Sequence, residues 1–77
     1  MKLVPVAPSK LAKVLGHVGY FPVRKKGSHV IFEHAETGRI TVVPFHSTKK
    51  VGVGLLSLIL REIGLSRENY FELLKKS

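Results

Sequence analysis

The sequence predicts an α+β domain in the order α-β-β-β-α-α, with a three-stranded antiparallel sheet covered on one face by helices. Two patterns carry this reading. Apolar residues recur at helical spacing near both ends of the chain. Between them lie three short runs rich in β-branched and aromatic residues, joined by glycine-containing links. Links that short permit hairpins and no crossover, so the strands form an antiparallel meander.

The first helix is expected to open at Ser9 as N-cap, with Pro8 blocking backward extension. Leu11, Val14, Leu15 and Val18 then form one apolar stripe, while Lys10, Lys13 and His17 take the opposite face. Gly19 ends the helix. Tyr20 to Arg24 reads as a strand that Pro22 confines to a sheet edge. Gly27-Ser28 makes a turn into a second strand, His29 to His34, and Ala35 to Gly38 has hairpin chemistry. Arg39 to Val43 is the third strand, closed by Pro44.

Residues 45–52 form a loop with a basic centre, and Val53 to Ile63 is the second helix, ended by Gly64. Leu56, Ile59, Leu60 and Ile63 make its core stripe, and Leu55 and Leu58 widen it beyond an ordinary core face. That excess calls for cover by the last helix or by another protein. Ser66 caps this last helix, Arg67 to about Lys76, which turns Tyr70, Phe71, Leu73 and Leu74 inward.

A chain of 77 residues allows a single domain spanning 1–77. With no cysteine it has neither a disulfide framework nor a thiolate zinc site. The opening MKLVPVAPSK has too short an apolar run for a signal peptide, and no stretch approaches a membrane span. The expectation is a soluble, cytoplasmic protein without a membrane role. Net charge is +8, and its distribution is uneven. Lys2, Lys10, Lys13, Arg24, Lys25 and Lys26 fall within the first 26 residues, which hold no carboxylate. A localised positive field attracts polyanions, nucleic acid foremost, with an acidic membrane surface or an acidic protein as the alternatives.

The stretch "RKKGSHVIF" gathers the elements of phosphate chemistry. RNA cleavage needs no metal if a base takes the 2′-OH proton and an acid protonates the leaving 5′-oxygen, and imidazole supplies both forms near neutrality. His29 is the candidate acid/base. Lys25 and Lys26 are placed to hold a phosphate, the Gly27-Ser28 backbone to add N–H donors, and the Ser28 hydroxyl to position an oxygen. Strand parity sets Val30 and Phe32 on one face and His29 and Ile31 on the other, which aims His29 at the open face if Val30 and Phe32 pack under the helices. The plain alternative is a solvated residue at the start of a strand. His29 and His34 are five apart and point to opposite faces, so they form no joint metal site, and neither metal nor cofactor is expected. His17 and His34 read as ordinary surface histidines. His46 reads as an RNA contact or a second proton-transfer group, and Lys49 and Lys50 as phosphate contacts. Tyr20 and Phe45 are either core or base-stacking residues.

Taken in order, a helix, "GY" opening a strand, "RKKGSHVIF", a hairpin with "TG", "VPFH", a basic loop and "GLLSLILREIGLSRENY" resemble the HicA (YcfA-like) family of mRNA interferase toxins. The likeness runs from about Ser9 to Phe71. It implies a fold like the double-stranded-RNA-binding domain. It also implies a stress-response toxin of a type II toxin–antitoxin pair, an endoribonuclease that cleaves mRNA and is held inactive by a HicB antitoxin. By position the family's catalytic histidine is His29. If the chain binds RNA, the residues expected to contact it are Arg24, Lys25, Lys26, Ser28, Arg39, His46, Lys49 and Lys50. Many members carry a second histidine where this chain has Val30. A non-catalytic RNA-binding module of the same fold is the alternative. A third reading is a protein-interaction domain that uses Leu55 and Leu58 to pair with itself or with another chain; the assembly expected of a toxin is a homodimer or a hetero-oligomer with the antitoxin.

Overall fold

A computed structural model describes residues 2–46 and 48–77, so Ser47, inside the expected basic loop, lies outside the described residues. The elements are α1 (Pro8–His17), β1 (Tyr20–Lys26), β2 (His29–His34), β3 (Ile40–Pro44), α2 (Val53–Ile63) and α3 (Arg67–Lys76). The three strands form one antiparallel sheet in the order β1-β2-β3. α1 packs toward β1, α2 toward β3, and α3 against α1. The expected α+β architecture is therefore present.

One face of the sheet is core. Phe32 lies opposite Thr41, and Val30 opposite Val43. Phe32, Thr41 and Val43 are buried under Leu11, Val14 and Leu15 of α1 and Leu56, Ile59 and Leu60 of α2. Thr41 is a polar residue in this core, and its hydroxyl donates to Glu62 Oε1 of α2 at 2.9 Å. That bond satisfies a group whose burial would otherwise cost free energy, and it pins α2 to β3. Tyr70 closes the core from α3 and is 1% exposed. Its burial raises the phenol pKa above the ordinary value.

Several local expectations shift. α1 starts at Pro8 and not after Ser9: Pro8 occupies the first turn, where its missing N–H is no loss, and Ala7 is an N-cap without a side-chain hydrogen bond. β1 continues two residues past Arg24 to Lys26, and β3 runs from Ile40 through Pro44. Ser66 does cap α3, accepting from the Asn69 N–H at 3.1 Å, and Gly64 ends α2 in the left-handed region. The last helix does not cover the wide face of α2. α3 sits on α1, and Leu55 and Leu58 stay exposed.

The N-terminal segment, which lies outside the predicted elements, belongs to the core. Leu3 and Val6 are buried, and Val6 and Val51 exchange two backbone hydrogen bonds of 3.0 and 2.7 Å. This bridge fastens the chain before α1 to the chain before α2. It thereby sets the first turn of α1 beside the basic loop.

Candidate nucleic-acid interface and catalytic site

β1 opens with Tyr20 facing the helices, paired with His34, and Pro22 opposite Phe32 on the same face. Simple alternation would then point residues 24 and 26 into the helix side as well. It does not, because the register shifts between Pro22 and Arg24. Val23 is the extra residue of a β-bulge and is exposed. Beyond it, Arg24 pairs with Ile31, Lys25 with Val30 and Lys26 with His29. The bulge thus moves Arg24 and Lys26 onto the open face. Pro22, which has no N–H for the ladder, sits at its start on an edge strand where such an irregularity is tolerated.

The open face consequently carries His29, Lys26 and Arg24 side by side, and His29 is exposed. The expected parity holds, since Val30 and Phe32 do face the helices. Lys25, by contrast, takes the face of Val30. Lys26 and Arg24 are the cations beside the imidazole. Gly27, at φ +60°, makes the tight turn that brings Lys26 opposite His29. The Ser28 carbonyl accepts the Phe45 N–H at 2.6 Å, and Pro44 lies opposite His29. The β1–β2 turn is thereby tied to the loop that begins at Phe45.

His46 and Lys49 meet in an isolated bridge within that loop. They line, with Thr48 and Lys50, one side of a pocket of about 530 Å³ whose other side is Ala7, Pro8 and Ser9 at the start of α1. Phe45 also lines it. His46, Lys49 and Lys50 therefore belong to one surface, at the same end of the sheet as His29. Arg39 does not. Its carbonyl accepts the His34 N–H at 2.8 Å, which places it at the far end of β2, about 17 Å from His29 at ~3.4 Å per residue.

His34 is no ordinary surface histidine. Its Nδ1 accepts the Glu36 and Thr37 N–H groups at 3.1 and 3.2 Å, so the ring caps the β2–β3 turn. The ring also meets Tyr20 edge-on, with centroids 5.0 Å apart. A Cβ on Gly19, at φ +88°, would come within 2.8 Å of His34 Nε2. The sequence signal was present in "GY" five residues before the turn cations, but only the fold shows that it seats this imidazole. His17 is exposed on α1, as expected.

Among the described residues, no group of three or more histidine or carboxylate side chains could hold a metal ion, and no helix is long and apolar enough to cross a membrane. No curated protein matches the sequence. The family model described as the HicA toxin of bacterial toxin–antitoxin systems matches residues 8–65, from the first residue of α1 to just past α2. That span covers most of the chain and includes the whole sheet, so the protein belongs to the HicA toxin family.

Proposed function

We propose that the chain is the endoribonuclease toxin of a toxin–antitoxin pair and that it cleaves mRNA in the cytoplasm without a metal, with His29 as acid/base. The observation that supports this most is the bulge-set alignment of Arg24 and Lys26 with His29 on the open face. A phosphodiester held by these two cations has its charge balanced next to an exposed imidazole. His29 takes the proton of the 2′-OH. The 2′-oxygen then bonds to phosphorus, the bond from phosphorus to the 5′-oxygen breaks, and the imidazolium returns the proton to that leaving oxygen. The products are a 2′,3′-cyclic phosphate and a free 5′-hydroxyl. The Gly27-Ser28 turn supplies N–H donors, and His46, Lys49 and Lys50 carry the flanking strand.

Cleavage of end-labelled RNA in EDTA tests this reading. Wild type is expected to yield cyclic-phosphate ends and His29→Ala to yield none; equal cutting by both defeats it. A second reading, a non-catalytic RNA binder, draws on Val30, which fills the place of a second imidazole with a half-buried core side chain. Salt-sensitive binding without cleavage would select it. Family membership implies an antitoxin partner. A HicB-like acidic protein covering the basic face fits the charge of the chain, and co-expression of such a neighbour is expected to relieve toxicity.

A further inference from the structure

The pocket between the first turn of α1 and the basic loop has a construction that phosphate binding alone leaves unexplained. Ala7, Pro8 and Phe45 give it an apolar lining. The Phe45 ring lies nearly parallel to buried Phe32, with an interplanar angle of 18° and centroids 6.4 Å apart. The ring is partly buried and packs against the core. Around this aromatic floor stand Ser9 and Thr48, which can exchange hydrogen bonds, and Lys49 and Lys50, which carry charge. An apolar, aromatic slot with a few polar groups and a cationic rim suits a planar heterocycle with phosphates on either side. At about 530 Å³ the space lies within the range of about 300–1,000 Å³ found for small-molecule sites.

We propose that this pocket receives one unstacked nucleobase of single-stranded RNA, seated against Phe45 and Pro8, with its neighbouring phosphates on Lys49 and Lys50. A base engaged in a duplex cannot enter such a slot, so the pocket selects unpaired RNA. The Val6–Val51 bridge fixes its two walls, and the Ser28–Phe45 hydrogen bond fixes its distance from His29. The bound base therefore sets which phosphate reaches the imidazole. This inference rests on the proposed RNA-cleaving function and adds to it a base-reading subsite.

The test uses labelled hexanucleotides with 2′-fluoro sugars, which carry no 2′ nucleophile and are not cut, and a single abasic site stepped along the strand. Binding is followed by fluorescence anisotropy. At one position, loss of the base is expected to weaken wild-type binding about ten-fold. Phe45→Leu keeps the apolar contact with Phe32 and is expected to bind intact RNA about ten-fold more weakly, with the abasic penalty at that position below about two-fold. If every abasic strand binds wild type as tightly as the intact one, the pocket reads no base and the inference fails, while RNA cleavage at His29 stands. Failure of wild type to bind any strand overturns the function reading and this inference together. Independently of any variant, 4-thiouridine at the sensitive position should crosslink to a peptide carrying Pro8, Phe45 or Lys49, and crosslinking elsewhere overturns the assignment.

Discussion

Two histidines bracket β2, and the fold treats them in opposite ways. His34 is half-buried, caps a turn through two backbone N–H groups and meets Tyr20 edge-on. His29 is exposed on the open face and makes no side-chain hydrogen bond among the described residues. They are the same residue type on one strand, and an odd separation puts them on different faces. An imidazole engaged by its own backbone builds structure. One left free beside two cations is available to a substrate. Without the bulge at Val23 those cations would face the helices, and His29 would stand on the open face without them.

The sharpest way to break this comparison is to exchange the consequences. His29→Ala is expected to lower RNA cleavage at least about 100-fold while leaving the melting temperature within a degree or two, since general acid–base groups contribute ~10²–10⁴ and the side chain is exposed. His34→Ala should do the reverse. Two lost turn hydrogen bonds and an aromatic contact amount to about 2 kcal/mol, or about 10 °C in melting temperature, with cleavage retained well below the transition. If His34→Ala abolishes cleavage in a protein that melts as wild type does, the division of roles is wrong.

Gly19→Ala probes the seat of His34 from the other side. The positive φ and the 2.8 Å approach to Nε2 predict a loss of about 1–2 kcal/mol in urea unfolding. The loss should be smaller in a His34→Ala background, where only the φ penalty persists; strictly additive losses would deny the contact. The smallest effect separates the two ends of the sheet. Lys26→Ala should weaken RNA binding and reduce the slope of log K against log salt by about 0.7, the loss of one phosphate contact on a single strand. Arg39→Ala, at the far end of β2, should leave that slope unchanged. Equal slopes for the two variants would mean that RNA spans the whole face.

Much of this was legible locally. Helical spacing in α1 and α2, the Ser66 cap and the glycine turns each express a short-range preference that packing does not override. Parity along HVIFEH was enough to aim His29 at the open face, because one buried neighbour such as Phe32 decides the side of every residue in an unbroken strand. Other features were not legible locally. Which face Lys25 takes, how far Arg39 lies from His29, which element packs on α2 and the role of His34 depend on partners distant in sequence, which local pattern does not encode.

By itself, then, the sequence determined the order of elements, the helical and strand faces, the basic excess and the imidazole at the start of β2. These follow from periodicity and turn chemistry acting over a few residues. Only the tertiary structure decided which cations stand beside His29, since a single bulged residue reverses the parity of everything after it. It also decided that the first turn of α1 meets the basic loop, because the Val6–Val51 bridge joins segments 45 residues apart by backbone hydrogen bonds that no side-chain pattern announces.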